Sequence, residues 1–302
     1  MKKVFVTGFT GFVGTNLLGF LESYTESLQP EGLDLRTQPD LFKHSGGVIV
    51  HLAGKAHDIK KVSKPEEYYQ VNYELTKSLY DAFLQSTASK FIFVSSVKAA
   101  ADSINDILSE NTIANPQTHY GKSKLFAEDY IQSQPLPAGK SYYILRPCMI
   151  HGPGNKGNLN LLYSFVSQGI PYPLASFSNK RSFLSVENLC FIIKEILERD
   201  DISSGVYNVA DDEPLSTNEV VTLLAEAQNR SPRLLNIPQN IILALAKIGD
   251  KLRLPLTTER LQKLTENFVV SNDKIKSVLK KDLPLSAREG ILRTAHSFKD
   301  RG

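Results

Sequence analysis

The segment THYGKSK contains a tyrosine and a lysine whose spacing suits proton transfer. Tyr120 precedes Lys124 by four residues, so both side chains lie on one face if the segment is helical. A free tyrosine has a pKa near ~10, and proton transfer near neutral pH requires lowering that pKa by roughly three units, about 4 kcal/mol. A neighbouring ammonium group could supply this stabilisation. Taken alone, however, the pair is better explained by an ordinary surface helix.

Two serines close an apolar strand about twenty-five residues before Tyr120. The strand opens the segment KFIFVSSVKAA, and the Ser96 hydroxyl would face the same crevice as the phenol. A hydroxyl there can donate to or accept from a substrate oxygen, and it can stabilise charge as the C–O bond changes order. Serines that end a strand are usually turn formers, and this alternative applies to Ser95 and Ser96 taken singly.

The sequence VFVTGFTGFVG places a strand before Gly8 and a helical apolar pattern after Gly14. Gly8 and Gly11 would let the backbone turn tightly and approach a pyrophosphate, and Gly14 would let the helix pack closely on the sheet. The N-terminus of that helix offers unpaired N–H groups and a positive dipole end to phosphates. The predicted dinucleotide site of this turn consists of Gly8, Thr10, Gly11, Phe12, Val13 and Gly14.

The side chain that holds the adenosine ribose is expected about twenty positions beyond these glycines. Asp34 falls there and could bind the ribose hydroxyls of NAD, whereas Arg36 could pair with the 2′-phosphate of NADP. A third interpretation is that both are solvated loop charges. The predicted cofactor is therefore NAD or NADP, and its oxidised nicotinamide would add to the stabilisation of a Tyr120 phenolate.

Short apolar runs alternate with helical patterns along the first part of the chain, which is typical of a parallel sheet with helices on both faces. The predicted strands are Lys3–Thr7, Val48–Leu52, Phe91–Ser95, Tyr142–Leu145 and Val206–Val209. We therefore expect an α/β fold with a Rossmann-type doubly wound sheet. After about residue 155 the composition changes. We expect 1–157 to form the NAD(P)-binding domain, with 182–210 returning to it, and 158–302 to form a smaller mixed α/β substrate domain.

Composition excludes several classes of function for this chain of 302 residues. Hydrophobic residues make up 41% and charged residues 22%, as in an ordinary globular enzyme, and 35 basic against 32 acidic residues give a charge of +3. There is no concentrated basic stripe, so nucleic acid is not an expected partner. The cysteines and histidines show no metal-ligand spacing, so no metal is expected; the residues are Cys148, Cys190, His51, His57, His119 and His151.

Two apolar segments could suggest a membrane. The run Val4–Leu21 resembles a signal peptide, but its regularly spaced glycines fit the nucleotide-binding turn better. No segment reaches the ~18 to 20 apolar residues of a membrane span. The second segment, Ile241–Ile248, is expected to be a buried helix or a subunit contact rather than a membrane contact. We therefore expect a cytoplasmic protein, in keeping with its unpaired cysteines, and a possible homodimer.

Taken together, these motifs resemble the extended short-chain dehydrogenase/reductases, within the nucleotide-sugar epimerase, dehydratase and reductase branch. The resemblance covers nearly the whole chain. It rests on TGFTGFVG, HLAGKAH, the pair Val71–Asn72, VSS, YGKSK, ILRPCMIHGPG, NKRSFLSVENL and GVYNVADDEPLS.

The resemblance implies a role for each residue of the site. Tyr120 would be the general acid/base, Lys124 would lower its pKa and bind the nicotinamide ribose, and Ser96 would orient the reacting oxygen. The further residues expected to line the cofactor cleft are Leu52, Ala53, Gly54, Ser95 and Pro147. The residues expected to reach the substrate are Asn158, Asn160 and Arg181, with Arg181 as a diphosphate clamp. The alternatives are a surface charge for Arg181 and helix capping for the asparagines.

The sequence departs from the family at two places that bear on function. Thirty-seven positions separate Gly14 from His51, which is short for the family's two strands and two helices, so one strand–helix unit is expected to be trimmed or missing. Val97 and Lys98 stand where sugar 4,6-dehydratases carry an Asp–Glu pair, which disfavours dehydration.

The resemblance therefore predicts hydride transfer at a ring carbon, C4, of a nucleoside-diphosphate sugar. The enzyme would be an epimerase or a 4-keto reductase of surface-polysaccharide synthesis. The alternatives are an alcohol or steroid dehydrogenase of the same family and a cofactor-sensing Rossmann protein without turnover.

Overall fold

The computed structural model describes residues 1–24, 26–35, 46–55, 64–155, 157–252 and 256–299. The strands are β1 (Lys2–Thr7), β2 (Leu28–Leu33), β3 (Gly47–His51), β4 (Ala88–Val94), β5 (Ile107–Leu108), β6 (Ser141–Pro147), β7 (Met149–His151), β8 (Phe183–Ser185), β9 (Gly205–Val209) and β10 (Val269–Val270). The helices are α1 (Phe12–Tyr24), α2 (Pro65–Tyr68), α3 (Leu75–Gln85), α4 (His119–Ser133), α5 (Asn158–Ser167), α6 (Val186–Glu198), α7 (Thr217–Glu226), α8 (Gln239–Leu252), α9 (Thr258–Thr265), α10 (Asp273–Leu279) and α11 (Ala287–Lys299). A π-helical segment (Tyr69–Glu74) joins α2 to α3, and a 3₁₀ turn (Val97–Ala99) follows β4.

Six parallel strands form one central sheet in the order β2-β1-β3-β4-β6-β9. The five predicted strands are all present, with ends shifted by up to three residues. The chain runs outwards from β1 in both directions, to β2 on one side and to β3 on the other. In such a sheet, ligands bind beyond the carboxyl ends of the strands at the point where the order reverses. The predicted doubly wound α/β sheet is thereby confirmed.

Different helices cover the two faces of the sheet. Successive residues of a strand point to opposite faces, so neighbouring residues contact different helices. Val4 lies in a hydrophobic cluster with Leu17 of α1 and Leu189 of α6. The next residue, Phe5, lies in a second cluster with Phe83 of α3. Burial on both faces explains why these strands are almost continuously apolar in the sequence.

The edge strand β2 is not among the predicted strands. Its sequence LQPEGL contains Pro30 and Gly32, which break the apolar pattern, and its burial alternates weakly. Proline is tolerated on an edge strand because its missing N–H faces the open side. Between α1 and β3 the described residues contain this one strand. Positions 36–45, which include Arg36, lie outside the described residues, as does His57.

A separate hydrophobic cluster lies outside the central sheet. It is built from α5, α7, α8, α9 and α11 together with β8, and it includes Leu159, Phe183, Leu223, Ile242 and Ile291. Strands β7 and β8 form a short parallel pair, whereas β9 returns to the edge of the central sheet. The predicted division into a cofactor domain and a substrate domain stays a prediction. In the described parts of the chain, no helix is long and apolar enough to cross a membrane.

Candidate active site

The first turn of α4 is fixed by capping hydrogen bonds. Thr118 is the N-cap residue, and its hydroxyl accepts from the Gly121 N–H at 3.2 Å. The same hydroxyl donates to the Asp102 carboxylate at 3.1 Å, and that carboxylate also accepts from the Thr118 N–H at 3.1 Å. Because these bonds satisfy free groups at the helix start, they set the direction in which Tyr120 leaves the first turn.

Ser96 and Tyr120 are brought together by close packing of α4 against the turn that follows β4. A Cβ atom at Gly121 would lie 2.3 Å from the Lys98 carbonyl oxygen, so only glycine permits this approach. Ser96 caps the 3₁₀ turn by accepting from the Lys98 N–H at 3.2 Å. Its side chain also hydrogen-bonds the Tyr120 side chain. Two of the three predicted catalytic residues are therefore in direct contact.

The protein groups around Tyr120 have two opposing effects on its pKa. Burial raises the pKa of the Tyr120 phenol, and the hydrogen bond with Ser96 acts in the opposite direction. Lys124 is not among the groups that lower the Tyr120 pKa in this structure. Tyr120 is thus held as a neutral phenol, and its ring packs edge-on to that of Tyr68 with 6.3 Å between centroids.

Lys124 lies one helical turn beyond Tyr120 and is almost completely buried. Its Nζ donates to the Val94 carbonyl oxygen at 3.0 Å and lies 4.7 Å above the Phe93 ring. Burial lowers the pKa of Lys124 to about 8, against an opposing effect of the Glu128 carboxylate. A Cβ atom at Gly54 would lie 3.2 Å from Nζ. The ammonium group therefore lies between the carboxyl end of β4 and the segment after β3.

The glycine-rich turn has the close packing that a dinucleotide site requires. Gly8 has a φ of +65°, and a Cβ atom there would lie 2.7 Å from the Ala53 nitrogen. A Cβ atom at Gly14 would lie 2.4 Å from the Gly8 carbonyl oxygen. Gly11 N donates to that same oxygen at 3.0 Å, and α1 begins at the next residue. These glycines carry no side chains, so a pyrophosphate group could approach the backbone closely at the N-terminus of α1.

A buried chain of hydrogen bonds supports this turn, and two of its residues, Thr7 and Thr76, have no role assigned from the sequence. Thr7 Oγ1 accepts from the N–H groups of Leu52 and Ala53 at 3.2 and 3.1 Å, and it lies 2.7 Å from His51 Nδ1. His51 Nε2 lies 2.9 Å from Thr76 Oγ1. The predicted cofactor residues Leu52 and Ala53 are thereby fixed to the end of β1.

The protonation state of His51 follows from its two partners. The Thr76 hydroxyl donates its only proton to the Asn72 carbonyl oxygen at 2.8 Å, so it must accept from Nε2–H of His51. Nδ1 then carries no proton and accepts from Thr7. Burial, followed by the charge of Lys124, lowers the pKa of His51 to about 3. His51 is therefore a neutral structural residue.

Asn72 continues this chain to the catalytic helix. Its Oδ1 accepts from Lys55 N at 2.7 Å, and its Nδ2 donates to Lys55 O at 3.1 Å and to Ser123 Oγ at 3.1 Å. Ser123 in turn donates to the Tyr120 carbonyl oxygen at 2.8 Å. Asn72 lies in the π-helical segment, a local geometry found often at functional sites. The only sequence signal for it was its place in the Val71–Asn72 motif.

Ser95 points into a buried ion pair. Its hydroxyl donates to the Glu128 carboxylate, which also accepts from Arg146 Nε at 2.9 Å and Nη2 at 2.5 Å. Both charged side chains are buried beneath the site. Pro147, the next predicted cofactor residue, ends β6, and its neighbour Cys148 donates its N–H to the Val209 carbonyl at 3.0 Å. The sequence did not predict the Glu128–Arg146 pair.

Of the residues predicted for the adenosine end, Asp34 lies next to a sheet edge. Asp34 directly follows β2, the strand beside β1, and is therefore at the carboxyl end expected for a ribose-binding acid. Arg36 lies outside the described residues. Thr10, Phe12 and Val13 belong to the turn and the first residues of α1.

The predicted substrate residues differ in how far the structure describes them. Asn158 begins α5, and its side chain lies outside the described part. Asn160 Nδ2 donates to the Asn155 carbonyl at 2.9 Å, and its Oδ1 is buried without a partner among the described residues. The N-cap residue of α5 is Gly157, so neither asparagine holds the N-cap position. Arg181 Nη1 donates to the Lys263 carbonyl at 2.7 Å, and Nη2 lies 4.0 Å from the Glu266 carboxylate.

Lys98 joins Arg181 in a cluster of charges that the sequence did not predict. Its Nζ lies 4.5 Å above the Phe268 ring and donates to the Asp102 carbonyl oxygen at 2.7 Å. Burial lowers the pKa of Lys98, and the charge of Arg181 lowers it further. The charges of Asp102 and Glu266 oppose this effect. Lys98 follows Ser96 by two residues, so this positive charge lies next to the catalytic turn. The sequence marked Lys98 only as a departure from the dehydratases.

In the part of the chain that the structure describes, no group of three or more histidine, cysteine or acidic side chains could hold a metal ion. Cys148 and Cys190 are both buried free thiols. Nothing in the geometry of the described residues therefore adds a metal to the site formed by Ser96, Tyr120 and Lys124.

Comparison with known proteins places this geometry in a family. Residues 4–210 match the model of the NAD dependent epimerase/dehydratase family. The UDP-glucose 4-epimerase of Vibrio cholerae is 30% identical over 319 residues, covering 98% of this chain and 95% of that protein. The N-acetyl-alpha-D-glucosaminyl-diphospho-ditrans,octacis-undecaprenol 4-epimerase of Escherichia coli O157:H7 is 29% identical over 252 residues, covering 78% of this chain and 75% of that protein.

A solved structure shows the same fold. The structure of RMD from Pseudomonas aeruginosa complexed with NADPH matches with a TM-score of 0.74 over 100% of both chains, at 20% identity. The chain therefore belongs to the NAD dependent epimerase/dehydratase family, which confirms the family, the enzymatic nature and the NAD(P) cofactor that the motifs predict.

Proposed function

We propose that the chain transfers hydride at ring carbon C4 of a sugar carried on a diphosphate, as a 4-epimerase or a 4-keto reductase. The observation that carries the proposal is the side-chain hydrogen bond between Ser96 and Tyr120, with the Lys124 ammonium buried one helical turn away. A protein that only senses its cofactor has no use for this arrangement. The 4-epimerase names of two relatives, with different carriers, support the choice of C4.

Tyr120 and Ser96 have different roles in this mechanism. Tyr120 donates a proton to the sugar oxygen when the ring carbon is reduced, and it accepts that proton when the carbon is oxidised. Its raised pKa keeps the phenol protonated before the donor step. Ser96 shares a hydrogen bond with Tyr120 and is positioned to hold the same sugar oxygen. When bound, the nicotinamide supplies or takes the hydride.

Lys124 holds the cofactor rather than the sugar in this proposal. An ammonium group has three N–H donors, and one of them binds the Val94 carbonyl. We assign the others to the nicotinamide ribose. The pyrophosphate would lie at Gly8, Gly11 and the start of α1, and Asp34 would bind the adenosine ribose, with the choice between NAD and NADP left open.

The cluster of Lys98 and Arg181 supports a diphosphate substrate over an alcohol or steroid. A steroid offers no anion to two partly buried cations beside its site, so their desolvation cost would be offset in part by neighbouring carboxylates such as Glu266 and not by the substrate. A diphosphate would pair with them. The proposal includes the division into a cofactor domain and a substrate domain and a cytoplasmic enzyme of surface-polysaccharide synthesis.

The carrier of the sugar has two candidates. One relative is named for UDP-glucose, and the other for a sugar on undecaprenyl diphosphate. Both carriers present a diphosphate, so the cluster does not distinguish them. The exposed apolar face of α8 supports the second candidate, the lipid-linked carrier.

A substrate panel tests the proposal. Purified protein is incubated with UDP-, GDP- and dTDP-sugars, their 4-keto forms and a polyprenyl-diphosphate sugar, with and without NADPH. Turnover without added cofactor identifies an epimerase, and NADPH consumption with 4-keto sugars alone identifies a reductase. Failure of every diphosphate sugar, together with turnover of a simple secondary alcohol, would contradict the proposal.

A further inference from the structure

Helix α8 exposes most of its apolar residues. The sequence predicts a buried helix or a subunit contact for Ile241–Ile248, but the helix buries only Ile242, Ala246 and Gly249 against the rest of the described chain. Buried residues at this spacing form a narrow stripe. The remaining circumference of α8 is left exposed, and much of it is aliphatic.

The exposed aliphatic residues of α8 lie along one line. Ile241, Leu245, Ile248 and Leu252 are 48, 51, 47 and 66% exposed. Their separations of four, three and four positions place them on a single face of the helix. Single exposed leucines are ordinary, but four aligned large side chains form a continuous apolar strip of the kind that marks an interaction surface.

Positive charge borders this strip. Lys247 and Lys251 are exposed, and Lys251 follows Ile248 by three positions, so it lies beside the strip. The one acidic residue of the helix, Asp250, is used elsewhere, because its carboxylate accepts from Thr258 N at 3.0 Å and Thr258 Oγ1 at 2.8 Å. An aliphatic strip bordered by lysines is complementary to anionic lipid head groups above an apolar layer.

The length of α8 fits a helix that lies on a bilayer. Its 14 residues span about 21 Å at 1.5 Å per residue, short of the ~30 Å hydrocarbon core. A second copy of the chain is the competing occupant. Protein interfaces are enriched in aromatic residues, methionine and arginine and depleted in lysine, whereas the described residues of this face are isoleucine, leucine and lysine.

The face is linked to the site by the next helix. The Asp250 carboxylate accepts from the N–H of Thr258, the first residue of α9, and a Cβ atom at Gly249 would lie 1.7 Å from the Leu256 carbonyl oxygen, so α8 packs closely against the segment that leads into α9. At the other end of α9, the Lys263 carbonyl holds Arg181. A diphosphate held at Arg181 would therefore lie at the opposite end of α9 from the strip.

We propose that the face formed by Ile241, Leu245, Ile248 and Leu252 docks the protein onto an anionic lipid bilayer. The inference deepens the lipid-linked form of the proposed function, since a sugar on a lipid diphosphate is presented at a membrane surface. The docking itself is a property of α8 and can be measured without substrate or turnover.

Vesicle sedimentation tests the docking. The full chain is mixed with sucrose-loaded vesicles of phosphatidylcholine, with and without an equal part of phosphatidylglycerol. We expect binding to the anionic vesicles and much less to phosphatidylcholine alone. The double variant Leu245→Glu/Ile248→Glu should reduce binding about tenfold or more, because it places two charges in the apolar layer. Lys247→Glu/Lys251→Glu should reduce it without touching the aliphatic residues.

Ile113→Glu is the matched control. It places one glutamate charge on an isoleucine that is 91% exposed elsewhere, and it should bind vesicles like the wild type. Melting temperatures unchanged within about 2 °C show that the variants fold, and all replaced side chains are exposed. Absence of wild-type binding, or an equal loss in Ile113→Glu, overturns the inference. A wild-type dimer that the α8 variant turns into a monomer, without vesicle binding, assigns the face to a second copy and also overturns it.

The outcome is separable from the proposed function. Vesicle binding without turnover of any diphosphate sugar supports the docking face and removes the proposed reaction. Turnover of a UDP-sugar without vesicle binding supports the reaction and overturns the docking face.

Discussion

Asn72 donates a hydrogen bond from Nδ2 to Ser123 Oγ at 3.1 Å, and so ties the π-helical segment to the catalytic helix. Its other two bonds hold the main chain of Lys55, beside Gly54 and the Lys124 ammonium. Asn72 therefore fixes the cofactor side of the site and the tyrosine side relative to each other.

Replacing Asn72 by alanine should weaken the packing of both the cofactor side and the tyrosine side of the site. We expect the free energy of unfolding to fall by about 1 to 3 kcal/mol, because the Lys55 N–H and C=O lose their buried partner. The affinity for NAD(P)H, measured by fluorescence titration, should fall as well. Asn218→Ala is the control, since Asn218 lies on α7, outside the central sheet, and donates to the Ala175 carbonyl. It should destabilise the protein without weakening the cofactor affinity, and an equal effect on affinity would contradict the prediction.

Acid should destabilise the protein through His51. Its pKa of about 3 in the folded chain lies below the ordinary value of 6.5, so between these values the unfolded chain binds a proton that the folded chain does not. Stability from this residue is present above pH 6.5 and is lost as the pH falls towards 3. Between pH 7 and pH 5 the loss amounts to about 2 kcal/mol.

Urea unfolding at both pH values measures this contribution. His51→Gln should lose about 2 kcal/mol less than the wild type between pH 7 and pH 5, since its amide does not titrate. His296→Gln, which alters an exposed histidine, should keep the wild-type difference. Equal differences in all three proteins would show that protonation of His51 does not contribute.

The buried pair of Glu128 and Arg146 should behave as one unit. Glu128→Gln or Arg146→Met alone leaves the partner charge buried, which costs about 3 to 5 kcal/mol. The double variant removes both charges and should cost clearly less than the sum of the two single changes. A double-mutant cycle by urea unfolding tests this, and additive effects would argue against a coupled pair.

The sequence predicts the centre of the site better than its surroundings, and the reason is the range of the interactions. Tyr120 and Lys124 are four residues apart, so a local pattern relates them. The bonds that hold Arg181 come from residues more than eighty positions later, and those of His51 join residues 44 and 25 positions apart. Local patterns carry no information on such contacts. The edge strand β2 escaped prediction because Pro30 and Gly32 obscure its pattern.

Burial adds one electrostatic effect that the sequence does not predict. The sequence places an ammonium near the phenol and, with a bound oxidised nicotinamide, predicts a lowered Tyr120 pKa. The structure shows a raised Tyr120 pKa, because desolvation depends on the packing around the ring and not on the spacing in sequence.

Lys98 should contribute to substrate binding. Its ammonium lies between Asp102 O and the Phe268 ring beside Arg181, where a diphosphate would bring compensating charge. Lys98→Met should raise KM for a diphosphate sugar about tenfold, ~1.4 kcal/mol, and change kcat less. Lys98→Arg should retain part of the affinity. Lys299→Met, at an exposed lysine that ends α11, is the control and should change KM less than twofold. A fall in kcat with KM unchanged would assign Lys98 another role.

The adjacent serines allow a sharp test of the catalytic assignment, because their hydroxyls have different partners. Ser96 shares a hydrogen bond with Tyr120, whereas Ser95 donates to Glu128. Tyr120→Phe removes the proton donor and should lower turnover by about 10² to 10⁴, with cofactor affinity nearly unchanged. Ser96→Ala should lower turnover by about 10². Ser95→Ala makes the same change one residue earlier. It should cost about 1 kcal/mol of stability but leave kcat within about twofold, since its hydroxyl serves the buried pair. Steady-state kinetics and urea unfolding of the three variants separate these effects. If Ser95→Ala lost as much kcat as Ser96→Ala, the role assigned to the Ser96 hydroxyl would be wrong.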